Sequence, residues 1–393
     1  MIERSRLHRF RRGNKLNGNG QPMRLFYNAT TTNFGDHINS WLWPRLIPEL
    51  IDREEGDVLV GIGSLLKADL DRMPGRKVIF GTGSGYGNPP PPRAAQKWQV
   101  YGVRGPLTAR MFGLPDSAAI TDGAWLVDHL PEFNTPKAKG QDVVFVPHWT
   151  SAAYGNWKPA VEMAGMKYID PLDDGPSVLS RIATARLAVV ESLHGAIFAD
   201  YFRTPWIAVS SPGRVLHFKW LDWAMSLGLD YRSYQLPASD MIDFLTQGQT
   251  PSHEMPRIAA RSFTPDQFRY EVVAQRHNAS LAYRSKIKAK GVLRAGRARV
   301  LAELRKHRDG IGMGRWNEAH RDALAEYLTR LAMVEGTLSH DAVRANRLAR
   351  LAEALHNLRR DQGVATTPVP DRPHLQLVRS MSTPLAAAEA ARL

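Results

Sequence analysis

From residue 24 to residue 210, short apolar runs alternate with longer amphipathic stretches, and that rhythm leaves few folds open. The first series of strand-like runs is 24–28, 57–61, 77–81, 98–103 and 118–121, with helical patterns near 36–46 and 106–112. A second series follows at 142–147, 166–169, 187–191 and 206–210, with helices near 157–164, 176–183 and 194–201. Near-continuous apolar runs joined by helices are the pattern of parallel strands buried on both faces. The chain is therefore expected to be α/β, with two tandem doubly wound lobes at 24–130 and 141–250. The segment 131–140 holds Pro131 and Pro136 and no periodicity, and it reads as a linker. After 251 the pattern turns helical, with an antiparallel pair at 316–331 and 340–360 inside a basic extension, 251–361. Residues 1–23 read as a disordered basic arm and 362–393 as a disordered tail.

Charge narrows the function classes. The chain carries a net +14, with 52 Lys and Arg against 38 Asp and Glu. Residues 25–250 hold 20 basic and 23 acidic side chains, so the excess lies at the two ends. A near-neutral body argues against nucleic-acid binding. The absence of cysteine excludes thiolate metal sites and a thiol nucleophile, and suits a reducing cytoplasm. The histidines are scattered, so no metal site is expected. No run reaches the ~20 apolar residues of a membrane span. Residues 269–309, however, carry twelve basic residues against three acids, with Ile287, Val292, Leu293, Val300 and Leu301 among them. A basic helix with an apolar stripe suits an anionic membrane surface. It also suits a solvated helix packed on the first lobe.

In open α/β sheets ligands bind at the carboxyl ends of strands, so chemistry is sought in the loops there. The first such loop holds Asn33, Gly35, Asp36 and Asn39 at a helix start, where backbone N–H groups can hold an anion or a sugar hydroxyl. Asp36 equally suits a helix cap. The second is the glycine run with Gly81, Gly83, Ser84 and Gly85, which lacks the lysine of a phosphate-binding P-loop. Arg104 ends a strand before the helix-starting Pro106 and offers a fork for carboxylate or phosphate. The strongest signal is Glu191-Ser192-Leu193-His194-Gly195, where a histidine sits at a strand-to-helix junction. His148 occupies a similar position, and Arg214, His217 and Lys219 follow the last strand. His194 and Arg104 are the catalytic candidates; the others are candidates for binding substrate.

Together these motifs resemble the polysaccharide pyruvyl transferase family, in its exopolysaccharide ketal-pyruvate branch. The resemblance runs through Asn33-Phe34-Gly35-Asp36, Val60-Gly61-Ile62-Gly63-Ser64, Gly81-Thr82-Gly83-Ser84-Gly85, Val103-Arg104-Gly105, Thr121-Asp122-Gly123-Ala124 and Glu191-Ser192-Leu193-His194-Gly195. It covers about residues 24–226. It implies a two-lobed fold similar to glycosyltransferase type B. It also implies transfer of a pyruvyl group from phosphoenolpyruvate to a polysaccharide sugar or a lipid-linked precursor, with no further cofactor. Many members carry Arg-Leu-His where this chain has Ser192-Leu193-His194. A donor-binding cation would then come from Arg104, Arg214 or Lys219. Such an enzyme is expected in the cytoplasm, or peripherally on the inner membrane face through 269–309.

Two other classes remain open at this point. A glycosyltransferase of the same shape would take a nucleotide sugar and need a ribose-binding carboxylate, for which Glu191 is the candidate. A membrane-associated scaffold would use the basic extension alone.

Overall fold

The computed structural model describes residues 22–30, 32–51, 56–85, 89–211, 215–247, 257–259, 303 and 314–364. The first sheet contains β1 (Arg24–Phe26), β2 (Val58–Val60), β3 (Lys77–Thr82) and β4 (Trp98–Val103), all parallel and in that order. Helices α1 (Phe34–Leu46), α2 (Pro106–Met111) and α3 (Pro131–Asn134) accompany it. The second sheet is built from β5 (Val143–Val146), β6 (Lys167–Tyr168), β7 (Leu187–Val190), β8 (Trp206–Ser210), β9 (Arg232–Gln235) and β10 (Arg257–Ala259). Its order is β10-β9-β8-β7-β5-β6, parallel except for β10. Its helices are α4 (Trp149–Tyr154), α5 (Trp157–Met163), α6 (Gly175–Thr184), α7 (Leu193–Tyr201), α8 (His217–Ser226) and α9 (Met241–Gln247). Then come α10 (Gly314–Leu331) and α11 (Asp341–Asp361).

The two-lobed α/β architecture is the one expected, and the side-chain alternation of the strands explains its layers. Leu59, Val78 and Phe80 join Val144, Val146, Ala188 and Val190 in one core cluster shared by both sheets. Their neighbours Val58, Val60 and Ile79 face a separate cluster on the outer side of the first sheet. Val143, Phe145, Val189 and Ile207 do the same on the outer side of the second. Helix α7 lies in the shared core, and every one of its residues except His194 is buried. That explains why its sequence is largely apolar rather than amphipathic, the buried Asp200 being held by Trp206 Nε1 and Ser339.

Four expectations change. The run 118–121 is not a strand: Pro115, Asp116 and Ser117 turn the chain, and only Ala119 bridges to Val103. The polar strand β9 was not visible as an apolar run, and β10 opens the stretch read as all helical. The segment 131–140 is tied down rather than loose, since Phe133 is buried and Lys139 Nζ donates to the carbonyls of Ala183 and Phe202. Within 251–361, the described helices belong to the body. Leu324, Tyr327, Leu328 and Leu331 of α10 cover the outer face of the second sheet. Helix α11 crosses to the first lobe, where Arg350 Nη1 donates to Ala119 O and Arg359 Nη1 to Leu46 O. Apart from Glu303, the basic segment 269–309 lies outside the described residues, as do residues 1–21 and 365–393. Among the described residues no helix is long and apolar enough to cross a membrane.

Candidate functional site

In the second sheet the chain moves from β5 outward to β6, then returns to the other side of β5 for β7. The loops after β5 and β7 thus diverge at a switch point, where α/β sheets open a crevice. His148 follows β5, and Ser192 and His194 follow β7. Facing them across the shared core are the loops after β1, β2 and β4 of the first sheet. The result is a cleft of about 480 Å³ between the lobes.

Of the residues singled out in the sequence, the cleft gathers Asn33, Asp36, Arg104, His148, Ser192, His194 and Lys219. His194 lies at the second position of α7, 11% exposed, with Ser192 as the helix cap. Its Nε2 has no hydrogen-bond partner and lies 4.0 Å from Asp122 Oδ1. The other carboxylate oxygen, Asp122 Oδ2, is also buried without a hydrogen-bond partner. Asp122 caps the turn Gly123–His129 through Ala124 N, which fixes its carboxylate opposite the imidazole. Asp122 and His194 thus form a buried acid–base dyad whose near atoms, Oδ1 and Nε2, are too far apart for a direct hydrogen bond.

Electrostatics define the dyad's state. Burial pushes the Asp122 carboxyl up to about 7, against the pull of Arg104 and the Ala124 N–H. Burial, then the charges of Lys219 and Arg104, drive His194 down to about 3. The imidazole is therefore uncharged near neutral pH, where Asp122 is the member of the dyad that titrates. Asp36 is raised too, by burial, while Asn28 Nδ2 and Asn33 Nδ2 donate to it and Lys219 and Lys67 oppose the shift.

Asp122 gives the dyad a signature in stability. Folded Asp122 holds its proton up to about pH 7, whereas the unfolded carboxyl loses it near its ordinary value of 3.8. Its contribution to stability is complete below about pH 4 and is lost as the pH rises through 7. Asp122→Asn should therefore gain on the wild type by roughly 3 kcal/mol between those limits. Urea unfolding at pH 4.5 and pH 8 checks this; a difference between the two proteins that does not change with pH contradicts it.

Several expected binding residues serve the framework instead. Asn39 is fully buried, with Nδ2 donating to Asp36 O and Ile62 O, and Oδ1 accepting from Ile62 N and Trp43 Nε1. Gly81 turns the chain at φ +68° with its Cα against the Gly123 backbone. Gly83 leaves room for the Arg104 guanidinium, and Gly85 abuts the Ser64 side chain. Ser84 offers its carbonyl to Arg104 Nη2 at 2.6 Å, while its N–H donates to Thr108 Oγ1. The glycine run thus seats an arginine rather than lining the cleft. His217 packs against Tyr231 with Nδ1 3.0 Å from its hydroxyl. Arg214 lies outside the described residues.

Arg104 lines the cleft but is fully buried, and its own protein occupies its fork. Nε donates to Asp222 Oδ2 at 3.1 Å and Nη1 to Ser64 Oγ at 2.9 Å. Asp222 also accepts from Thr108 N and Thr108 Oγ1. Glu191 is likewise committed. One oxygen accepts from His148 N and the other from Ser211 N, each at 2.9 Å, so it ties together the loops after β5 and β8. That leaves it no oxygen aimed at a ribose.

Gly35 shapes the site by packing its backbone against His194. A Cβ placed there would overlap the His194 imidazole. Gly35→Ala should displace the ring, lowering turnover at least roughly tenfold while leaving the fold intact. Steady-state rates beside a melting curve test it; wild-type turnover in a folded Gly35→Ala would show the ring has room to spare.

The sequence reading missed Asn28, Lys67 and Tyr154, all in the cleft wall, and did not promote Ser64, Trp149 or Asp122 out of the motifs that contain them. Asp122 did carry a signal, because Thr121-Asp122-Gly123 follows an apolar run. Lys67 and Tyr154 stand in unremarkable surroundings and come to the cleft only through folding.

Over 223 residues, 57% of this chain and 70% of the relative, the sequence is 39% identical to the succinoglycan biosynthesis protein ExoV of Rhizobium meliloti (strain 1021). The chain belongs to the polysaccharide pyruvyl transferase family. No protein-family model matches it. No solved structure matches it either. Among the described residues no group of three or more His, Asp or Glu is placed to hold a metal ion. In this family member the Ser192-Leu193-His194 departure has a structural counterpart, since the Ser192 side chain caps α7 by accepting from Gly195 N. The cations that share the cleft with it are Lys67, Arg104 and Lys219.

Proposed function

We propose that this protein transfers a pyruvyl group from phosphoenolpyruvate to a sugar in exopolysaccharide biosynthesis. The observation that carries the reading is the His194 imidazole, backed by the buried Asp122 carboxyl, in an interlobe cleft that it shares with Lys67, Arg104 and Lys219. The biosynthetic context rests on the relative, whose printed name assigns it to succinoglycan biosynthesis.

Phosphoenolpyruvate brings a phosphate and a carboxylate, and cations beside helix N-termini suit both. Lys219 and Lys67 receive these groups; Arg104, already committed, contributes fixed positive charge and shape. Burial is the main cause of the low His194, and an anionic donor offsets the cations that add to it, so the imidazole gains basicity and carries a proton within the dyad. That proton passes to the methylene carbon of the donor, leaving an electrophilic centre at C2. One sugar hydroxyl attacks C2 and gives its proton back to the dyad. Phosphate leaves, and a second hydroxyl adds to C2, its proton departing with phosphate. The product is a cyclic ketal with a methyl group and a carboxylate, and the dyad ends as it began. General acid–base work of this kind contributes about 10²–10⁴-fold.

The test is release of inorganic phosphate from phosphoenolpyruvate, with and without a lipid-linked or polymeric sugar acceptor. Acceptor-dependent release supports the reading. Glycosyl transfer from a nucleotide sugar, with no phosphate released from phosphoenolpyruvate, would replace it by the glycosyltransferase.

A further inference from the structure

The cleft has two chemically different walls. One carries Asp36, Lys67, Arg104, His194 and Lys219; the other is helix α4, presenting Trp149, Thr150 and Tyr154. Tyr154 is 46% exposed and Trp149 is half-buried, although large aromatic side chains are usually covered. Among the described residues Tyr154 is one of four exposed large hydrophobic side chains, and the other three, Met163, Leu172 and Met333, lie outside the cleft. Helix α4 is also held firmly. His148 caps it, with Nδ1 2.7 Å from Thr150 Oγ1, and the buried Glu191 accepts from the His148 backbone N–H. A cleft of about 480 Å³ is far larger than a three-carbon donor needs.

From this juxtaposition we infer that Trp149 and Tyr154 form the acceptor subsite, a platform on which the apolar face of a pyranose ring stacks while its hydroxyl edge points toward His194. The inference rests on the pyruvyl-transfer reading for what lies opposite, and it adds where and how the sugar is held. Aromatic rings with a polar tip suit a ligand that is apolar on its faces and polar at its rim. The charged wall suits the anionic donor and offers a sugar face no such partner. Separate walls let both substrates be present at once, as a direct transfer requires.

The experiment is saturation-transfer NMR of the full chain with lactose, cellobiose and maltotriose, run beside titration with phosphoenolpyruvate. At least one sugar should receive saturation on its axial C–H protons. Tyr154→Ala should weaken that sugar roughly fivefold to tenfold, the scale of one lost ring contact. Tyr154→Phe should retain binding, because stacking needs the ring and not the hydroxyl. Phosphoenolpyruvate affinity should stay within about twofold in both variants. No binding of any of the three sugars by the wild type overturns the inference, as does wild-type sugar affinity in Tyr154→Ala. Failure of the underlying reading looks different: sugar binds through Tyr154, but phosphoenolpyruvate neither binds nor releases phosphate.

Discussion

Asp222→Ala should destabilise the protein by about 3–5 kcal/mol, because it leaves the Arg104 guanidinium buried without its counter-charge. Both side chains of the pair are fully buried, and the carboxylate also satisfies the N–H and hydroxyl of Thr108. The pair joins the end of β4 and the start of α2 to α8, so its loss loosens the floor of the cleft. Arg104→Ala should be damaging for the same reason in reverse, stranding Asp222. Arg104→Lys should also fail, since an ammonium cannot reproduce bonds from Nε, Nη1 and Nη2 to three partners. Replacing both residues with apolar ones of similar volume should recover part of the loss, because a buried pair is often matched by apolar packing. Urea unfolding of the single and double variants measures this. A cost below about 1 kcal/mol for Asp222→Ala would contradict the counter-charge role, since that is the scale of exposed pairs.

His194→Gln should lower turnover by about 10²–10⁴-fold while the chain stays folded. The side chain packs on Gly35 and Phe198 and faces Asp122 across 4.0 Å, yet it makes no hydrogen bond through Nε2, so a glutamine of similar size breaks no hydrogen bond there. Donor affinity should change far less than turnover, since Lys67, Arg104 and Lys219 remain. Initial rates over a range of phosphoenolpyruvate concentrations separate the two quantities. A loss confined to KM would make His194 a phosphate ligand rather than the proton carrier.

Much of the fold was legible because parallel strands must be apolar on both faces, and runs such as 98–103 and 206–210 coincide with β4 and β8. β9 escaped because Arg232-Ser233-Tyr234-Gln235 is polar and takes its place through pairing with β8. The integration of α10 and α11 was hidden as well. Their apolar stripes showed that they pack, but not that α11 reaches back to the first lobe. In the site, His194 was legible from its junction, and the glycine run was correctly placed at a strand end. Its role was not, because only the folded chain shows Arg104 filling the space beside Gly83. Asp122 illustrates the same limit: nothing local to residue 122 says that an imidazole from residue 194 will face it.

The most direct measurement of the central claim follows the fate of labelled donor carbon. Phosphoenolpyruvate labelled with ¹³C at C2 is incubated in deuterated water with a lipid-linked or polymeric sugar acceptor, and the product is read by NMR and mass spectrometry. The account predicts a ketal carbon attached to two sugar oxygens, one solvent deuterium in the neighbouring methyl group, and phosphate released in equal amount, all greatly reduced in His194→Gln. An acceptor that gains no labelled carbon, or one that gains it at the same rate without His194, would contradict it.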